Sequence, residues 1–510
     1  NKIFKFKFKG AILNIRGDIA GGLTAGVIAL PLCLAFGIAS GLGAAAGLYG
    51  AILLSFFAAI FGGTKTQISG PTGPMTVVTA SVVVALGGDM SLLIMVFVLA
   101  GFFQILLGVF KIGRFVRFIP YPVISGFMNG VGVIIILLQI SPLLGGSNPN
   151  GTIEALMALP SIDINSQSLM LGALALIVIY LTPKKISAIV PSPLLALILF
   201  SLLSYFLNLD VKTIGLIPSS LPTFIIPQIS YAHITIILTY SLVLATLGSI
   251  DSLLTSLVAD SLTKTKHSSN RELIGQGIGN MMAGFFGGLV GAGATMRTVT
   301  NIKLGGNSRL SGVTSSVFLA LVLLSFSDLV SYVPIPVLSA ILIKVGFDIF
   351  DYRLLKELKT APKCDLSVMI LVFLLTVFVD LIFAVGVGVL VASLVLVYQV
   401  NKVVKVDYQK DEDLTIVSIY GAFFFGSSSK IANALNHLAS KKTIINIKEM
   451  PFVDLSGIYA LEDEIDMQLK NGYDIYIVTN KDQNLYSLIN LVGKDRIFDC
   501  LNDAIKTAKS

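Results

Sequence analysis

The chemically unusual residues of this sequence lie within or between apolar stretches. Residues 68–80 read ISGPTGPMTVVTA and residues 291–306 read GAGATMRTVTNIKLGG, so both are interrupted by Gly or Pro and are rich in hydroxyl side chains. Between them, Asp251 and Thr255 lie in the stretch LATLGSIDSLLTSLVAD. Their spacing of four residues places both on one face of a helix. These three stretches are the candidates for ligand chemistry.

Asp251 is a carboxylate well inside an apolar segment. On insertion scales, a carboxylate at the centre of a membrane helix costs about 2.5–3.5 kcal/mol, so a functional role is the default interpretation. With the Thr255 hydroxyl and free carbonyls of a broken helix, it offers the oxygen ligands that a small hard cation prefers. A structural hydrogen-bonded acid and a proton carrier are the alternatives.

The two Gly- and Pro-interrupted stretches indicate breaks in membrane helices. Extended backbone at membrane depth is tolerated only where it is buried in protein or lines a wet cavity. A half-helix that follows such a break presents free N–H groups and a charge of about +0.5 at its N-terminus. We predict two N-termini, at Thr72–Gly73 and at Ala294–Thr295, that face each other and bind an anion. A kink for helix packing is the alternative for either stretch alone.

Two further side chains are assigned supporting roles. Arg297 is the basic residue next to the second break, where it attracts the anion, pairs with Asp251 or caps a helix end; an electrostatic supporting role is favoured. Phe36, in ALPLCLAFGIASG (29–41), is close to the Pro31 break and is predicted to line the cavity. Packing is the commoner role of an aromatic residue in a membrane helix.

The composition is that of a polytopic membrane protein. Of 510 residues, 55% are hydrophobic and 13% charged, with mean hydropathy +0.86, whereas soluble proteins have roughly 25% charged residues. Apolar windows close to the ~20 residues that span a bilayer recur along the chain. We predict fourteen segments, at about 19–41, 43–61, 68–86, 91–110, 120–143, 168–182, 187–206, 234–260, 273–290, 292–304, 310–327, 334–349, 366–382 and 383–400.

These segments form two sets of seven, at about 18–206 and 234–400. Because seven is odd, the second set must have the opposite orientation in the membrane. Basic residues such as Lys65, Lys264 and Lys356 fall in alternate loops, which by the positive-inside rule places both termini in the cytoplasm. Interrupted segments at matching positions of inverted repeats indicate the substrate site of a transporter.

The last part of the chain has a different pattern. Residues 404–510 contain three strand-like runs, at 414–427, 442–450 and 474–480, and an amphipathic helix at 456–472. We therefore expect a membrane domain at 1–403 and a small cytoplasmic α/β domain at 404–510. A phosphate on Ser456 would lie at the helix N-terminus, although simple N-capping is the favoured interpretation.

Composition and spacing also argue against other classes of protein. The three Cys and three His residues are scattered and form no metal, disulfide or catalytic pattern, so no enzyme is predicted. Residues 406–510 carry 11 Lys and Arg against 15 Asp and Glu. The basic excess therefore belongs to the membrane part and reflects topology rather than nucleic-acid binding.

These features together resemble the SulP (sulfate permease) family of anion transporters. The resemblance rests on GLYGA (47–51) followed by GGTK (62–65), on the broken third and tenth segments, and on a C-terminal domain similar to STAS domains. Within the family, NIRGDIAGGLTAGVIALP (14–31) and IDSLLTSLVADS (250–261) are similar to the cyanobacterial sodium-dependent bicarbonate transporters. The GGTK stretch departs from the usual family pattern in having Thr64 where Ser is common.

The resemblance implies bicarbonate binding by Thr72, Ala294 and Thr295. It implies sodium binding by Asp251 and Thr255, with help from Gly293 and Thr295. It further implies alternating access, in which a core domain (segments 1–4 and 8–11) moves against a gate domain (5–7 and 12–14).

The resemblance also implies a multi-pass protein of the plasma (inner) membrane of a cyanobacterium, and a homodimer formed through the STAS-like tail. The tail has Leu455 in the position of the first Ser in the Asp-Ser-Ser-Gly pattern of phosphorylated STAS proteins. A proton-coupled sulfate or dicarboxylate carrier with Asp251 as the proton relay, an anion channel, and a membrane-anchored signalling protein are the alternative functions.

Overall fold

The computed structural model divides the chain into two compact units, residues 1–389 and 390–510. The residues it describes are 6–8, 11–113, 120–149, 151–187, 190–215, 217–220, 222–227, 231–357, 360–379, 381–411, 413–424, 426–427, 433, 435, 440–450, 453–479 and 491–509.

Helices occupy all fourteen predicted segments. They are α1 (Ile15–Ala39), α2 (Ala44–Phe61), α3 (Gly73–Ala85), α4 (Met90–Val109), α5 (Tyr121–Leu143), α6 (Ser166–Leu181), α7 (Ser192–Phe206), α8 (Ile234–Thr263), α9 (Ser269–Phe285), α10 (Thr295–Lys303), α11 (Leu310–Ser331), α12 (Ile335–Ile349), α13 (Lys363–Phe378) and α14 (Leu381–Val403). Short helices at Thr152–Ala158, Lys184–Ser187 and Tyr352–Glu357 lie in the connections.

The helices differ in their ability to cross a bilayer alone. Within the described residues, seven are long and apolar enough by length and composition: α1, α2, α4, α5, α8, α11 and residues 383–403 of α14. The 13 residues of α3 and the 9 residues of α10 give lengths of only about 20 Å and 14 Å. Both are shorter than the ~30 Å hydrocarbon core, as expected of half-helices.

The predicted bounds of the ninth segment are wrong. The sequence predicts 273–290, whereas α9 runs from Ser269 to Phe285. Its first turn, Ser-Asn-Arg-Glu, is polar enough to be assigned to a loop from composition. The structure instead buries Glu272 within the protein, with 1% of its surface exposed.

Two very short strands join the two halves of the membrane unit. Strand β3 (Ser69–Gly70) precedes α3, and β4 (Ala292–Gly293) precedes α10. They pair antiparallel, Ser69 with Gly293 and Gly70 with Ala292. A separate N-terminal hairpin comprises β1 (Phe6–Phe8) and β2 (Ala11–Leu13).

Packing sorts the membrane helices into two groups. In the first, α4 packs on α8 and α9, α9 on α2, and α1 on α11; in the second, α5 packs on α12 and α13, and α12 on α6. Glycines allow close approach inside the first group, since a Cβ on Gly101 would lie 2.5 Å from the Gly277 carbonyl oxygen. The groups meet where α3 contacts α5 and where α1 contacts α7 and α12.

The second unit contains a five-stranded sheet of order β5-β6-β7-β8-β9. Its strands are β5 (Lys405–Asp411), β6 (Leu414–Tyr420), β7 (Lys442–Asn446), β8 (Asp474–Val478) and β9 (Ile497–Phe498). Strands β5 and β6 are antiparallel and the other pairs are parallel.

Helices cover both faces of this sheet. Helix α15 (Leu455–Lys470) contributes Leu461 and Ile465 to one apolar cluster, and α16 (Leu501–Lys509) contributes Ala504 and Ala508 to the other. The central strands are therefore apolar on both faces, as parallel strands between helices must be. Strand β8 and helix α15 agree with the predicted elements, whereas β6 and β7 begin where predicted but end earlier, at Tyr420 and Asn446 and not at 427 and 450.

Candidate functional site

The short strands fix the starting points of both half-helices. Helix α3 begins at Gly73 with Thr72 as its N-cap, and α10 begins at Thr295 with Ala294 as its N-cap, as the sequence predicts. The Ala294 N–H donates to the Ile68 carbonyl (2.9 Å), and the Ile68 N–H donates to Thr298 Oγ1 (3.0 Å). The first turn of α10 is thus hydrogen-bonded to the strand segment that leads into α3.

Neither half-helix is capped by a side chain at its N-terminus. Thr72 is extended (φ −126°, ψ 158°) and buried, and its Oγ1 has no hydrogen-bond partner in the described part of the chain. Buried hydroxyls normally have partners. The N-terminus of α3 therefore combines a positive helix end with a buried hydroxyl that forms no hydrogen bond of normal geometry to a described residue, which is a suitable arrangement for an anion.

Helix α8 brings hydroxyl side chains to the second break. Thr255 Oγ1 lies 2.9 Å from the Gly293 carbonyl oxygen and 2.7 Å from Thr295 Oγ1. The Gly293 N–H in turn donates to Ser252 Oγ (3.1 Å). Three of the four predicted cation ligands are therefore in contact, and each offers an oxygen atom.

The fourth predicted ligand, Asp251, lies one turn earlier on α8. Its Oδ2 atom is buried and has no hydrogen-bond partner among the described residues. The Thr72 side chain and the Arg297 guanidinium are its electrostatic neighbours, and with Pro74 it lines a cavity of about 30 Å³. That volume exceeds what one water molecule needs. An unpartnered carboxylate oxygen at membrane depth is a strong indicator of a bound cation or proton.

Arg297 links the two halves of the membrane unit. It is buried, with 2% of its surface exposed, and its Nη2 donates to the Pro71 carbonyl oxygen at 2.6 Å. A Cβ on Gly70 would lie 2.6 Å from Arg297 Nη1, so the first break has no room for a side chain there. Its direct contacts are with the Pro71 carbonyl, just before α3, and with Cys33 Sγ on α1 at 4.0 Å, whereas Asp251 is a charged neighbour.

Phe36 is buried beside the N-terminus of α3. Its Cε1 atom lies 4.0 Å from the position that a Cβ on Gly73 would take. The Cδ1 atoms of Ile135 on α5 and Ile349 on α12 lie 2.9 Å and 2.8 Å from that position. Sequence reasoning missed these two isoleucines, because an isoleucine in a membrane helix carries no signal of proximity to a site.

Sequence reasoning also missed a polar stripe on α9. Glu272, Gln276 and Asn280 are spaced four residues apart and are all buried. Asn280 holds the chain just before β4, because its Nδ2 donates to the Gly291 carbonyl (2.9 Å) and its Oδ1 accepts from the Gly291 N–H (2.8 Å). The repeated spacing of four in a membrane helix is the signal that would have identified this stripe.

In the second unit, Ser456 is exposed in the first turn of α15. The N-cap is Asp454, whose Oδ1 accepts from the Gly457 N–H at 2.7 Å. The structure therefore agrees with the favoured interpretation of simple N-capping, and of the two candidates, Asp454 and Ser456, the aspartate is the cap. A regulatory role of the Ser456 hydroxyl stays a prediction.

The geometry thus combines two opposed helix N-termini, a buried hydroxyl beside a buried carboxylate, and, one turn further along α8, a set of oxygen atoms in contact with one another. This arrangement suits an anion and a small cation in adjacent positions. Interrupted helices at matching positions of two seven-helix halves place it in the class of polytopic membrane transporters with inverted repeats.

The chain belongs to the sulfate permease family. The model of that family matches residues 15–372, and the model of the STAS domain matches residues 405–508. It is thus a multi-pass membrane transporter with a C-terminal STAS domain, and its family is one of anion transporters.

Similar proteins cover nearly the whole chain. It is 40% identical to the bicarbonate transporter BicA of a Picosynechococcus strain, over 97% of this chain and 95% of that protein. It is 39% identical to the BicA of a Synechocystis strain, over 97% and 94%. The chain is also similar to the solved transmembrane domain of a cyanobacterial BicA, with 44% sequence identity and a TM-score of 0.70. The match covers 75% of this chain and 99% of that domain.

Proposed function

We propose that this protein is a secondary active transporter that carries bicarbonate into the cell together with sodium. The observation that supports it most directly is a pair of buried oxygens without a hydrogen-bond partner among the described residues, Thr72 Oγ1 at the N-terminus of α3 and Asp251 Oδ2 on the neighbouring helix α8. Relatives named as bicarbonate transporters match the chain almost end to end, which favours bicarbonate among the small inorganic anions.

In this proposal bicarbonate binds between the N-termini of α3 and α10. The Thr72 hydroxyl donates to one carboxylate oxygen of bicarbonate, and the backbone at Gly73, Ala294 and Thr295 provides the positive helix ends. Arg297 adds a positive charge from behind the first break without leaving the Pro71 carbonyl. Phe36 covers the apolar side of the cavity.

Sodium binds next to the anion. Its ligands are the Asp251 carboxylate, the Thr255 and Thr295 hydroxyls and the Gly293 carbonyl, all of them oxygen atoms. The cation offsets the charge of Asp251 and attracts the bicarbonate beside it. Each ion therefore raises the affinity for the other, which is the thermodynamic basis of coupling.

Transport then proceeds by alternating access. The body formed by α1–α4 and α8–α11 carries both ions and moves against the body formed by α5–α7 and α12–α14. We place both termini in the cytoplasm and the protein in the plasma membrane of a cyanobacterium, on the basis of the positive-inside pattern and the source of its relatives. The STAS domain is proposed to form the homodimer.

A proton-coupled sulfate or dicarboxylate carrier is the second candidate. The family takes its name from sulfate permeases, and a carboxylate without a hydrogen-bond partner at Oδ2 is also a suitable proton carrier. In that case protonation of Asp251 would replace sodium binding.

Radiolabelled bicarbonate uptake into proteoliposomes tests the proposal. Uptake is compared with an inward sodium gradient and with choline in place of sodium, at alkaline pH to suppress leakage as carbon dioxide. We expect uptake to require sodium. Sodium-independent uptake that is stimulated by acid, or uptake of sulfate in place of bicarbonate, would select the second candidate.

A further inference from the structure

A buried carboxylate outside the ion site accepts an unusual number of hydrogen bonds. Glu272 Oε2 accepts from the backbone N–H groups of Gly63 (2.8 Å) and Thr64 (2.7 Å). Its Oε1 accepts from the side-chain amides of Gln67 (3.0 Å) and Gln276 (2.8 Å). All four contacts donate to Glu272, so both oxygens act as acceptors only.

This carboxylate fixes the orientation of the Gln67 amide. Because Nε2 of Gln67 must donate to Glu272, its Oε1 faces α8 and accepts from Ser256 Oγ at 2.9 Å. Ser256 directly follows Thr255, one of the proposed cation ligands. Thr64 Oγ1 contacts the same Ser256 hydroxyl at 2.7 Å, so two residues of the loop after α2 meet at this one atom of α8.

The Gln67 amide also supports the backbone at the second break. A Cβ on Gly293 would lie only 2.1 Å from Gln67 Nε2, so the amide packs directly against this glycine. The Gly293 carbonyl on the same residue accepts from Thr255 Oγ1 at 2.9 Å. A continuous set of contacts therefore runs from Glu272 through Gln67 to the Gly293 carbonyl and the α8 hydroxyls.

We propose that Glu272 and Gln67 are positioning residues for the coupling cation. Glu272 orients Gln67, and Gln67 holds the Gly293 carbonyl and the Ser256–Thr255 turn of α8 at the separation that sodium requires. The inference rests on the sodium site of the proposed function and extends it to residues that do not touch the ion. Groups that orient metal ligands commonly change affinity for the metal by 10–100-fold when they are altered.

The first test is Glu272→Gln, an isosteric change that places an amide NH₂ against groups that are themselves donors. Sodium-dependent bicarbonate uptake in proteoliposomes should show a half-saturating sodium concentration raised about tenfold. The KM for bicarbonate at saturating sodium should change by less than about twofold, because saturating sodium refills the cation site and neither Glu272 nor Gln67 is among the groups proposed to bind the anion. An equal rise in both quantities, or no rise for sodium, would overturn the proposal.

Asp18→Asn is the matched control. Asp18 on α1 is also fully buried, and it accepts from the backbone N–H groups of Asn307 (2.7 Å) and Ser308 (2.9 Å), away from Gly293. We expect this variant to lose thermal stability without a change in the sodium requirement. A sodium shift equal to that of Glu272→Gln would mean that general loosening of the fold explains both.

A second measurement does not depend on transport. The thermal midpoint of the purified protein is recorded as sodium chloride replaces choline chloride, since a ligand that binds the folded state raises this midpoint. Glu272→Gln should need about tenfold more sodium for the same rise, and adding Gln67→Glu, which restores an acceptor facing a donor, should recover part of the loss. Absence of recovery would overturn the proposal. If the unaltered protein shows no sodium effect at all, the proposed sodium site itself is wrong.

Discussion

The two half-helices have the same backbone arrangement but very different side chains. Helix α3, GPMTVVTASVVVA, has no charged residue, and its first seven residues, 73–79, are all buried. Helix α10, TMRTVTNIK, carries Arg297 and Lys303, and its first two residues, Thr295 and Met296, are exposed. The N-terminal turn of α3 is therefore shielded from solvent, whereas the first two residues of α10 are exposed to it.

This difference indicates a division of roles between the inverted halves. The α3 end offers a buried hydroxyl that has no hydrogen-bond partner among the described residues, and burial strengthens a hydrogen bond from it to an ion. The α10 end offers hydroxyls already in contact with α8, together with a guanidinium bonded to the opposite half. In the proposed function, the anion therefore depends mainly on the α3 hydroxyl, and the cation depends mainly on the α10 oxygens together with Asp251.

The largest expected effect is that of Asp251→Asn. A carboxylate at the centre of a membrane helix costs roughly 2.5–3.5 kcal/mol, and a bound cation offsets this cost. Because about 1.4 kcal/mol corresponds to a tenfold change in an equilibrium constant, loss of the carboxylate should lower the affinity for sodium about a hundredfold. Sodium-dependent uptake should be nearly abolished. Asp328→Asn, an exposed carboxylate on α11, serves as the control and should transport normally. Full sodium-dependent uptake by Asp251→Asn would show that the coupling cation does not bind at this site.

An intermediate effect is expected for Thr72→Val, which keeps the side-chain shape and removes the free hydroxyl. A hydrogen bond to a charged group is worth about 1.5–3 kcal/mol, so the KM for bicarbonate should rise about tenfold or more. Thr79→Val is matched within the same helix, because Thr79 is fully buried but its hydroxyl already donates to the Met75 carbonyl at 2.8 Å. Equal KM values for the two variants would contradict a special role of the α3 end.

The smallest effect is expected for Gly73→Ala. The added methyl group meets the ends of flexible side chains on Ile135 and Ile349, so these can shift and uptake should fall only by about two- to fivefold, as for modest overpacking. Adding Ile349→Val, which removes the Cδ1 atom, should restore part of the rate. Gly386→Ala on α14 is the control, because a Cβ added there would have no other described residue within 4 Å. A rate unchanged in Gly73→Ala would show that α5 and α12 do not close on this helix end.

Much of the membrane fold could be predicted from the sequence, because the bilayer imposes its own length scale on apolar segments. The Gly and Pro residues at 70–74 and 291–293 predicted both breaks, since backbone that cannot continue a helix must find other partners. The grouping of Thr255, Gly293 and Thr295 was predicted through the family resemblance and agrees with the geometry. Their roles as ion ligands stay predictions.

The residues that were missed depend on contacts distant in sequence. The bond from Arg297 to the Pro71 carbonyl follows only once β3 and β4 pair, and the proximity of Ile349 to Gly73 requires the packing of α12 near α3. Glu272 was missed for a different reason. Its polar neighbours are typical of a loop, so the first turn of α9 was predicted to lie outside the helix. A search for polar residues at a spacing of four would have corrected that assignment.

The antiparallel pair of β3 and β4 also has a consequence for synthesis of the protein. Ser69 is made early and Gly293 only after seven further helices, α3 to α9, have left the ribosome. Until then the first break has no strand partner, and Arg297, which bonds its carbonyl, does not yet exist. A truncated product that ends before α10 therefore lacks both the strand partner and the guanidinium that hold the first break in place.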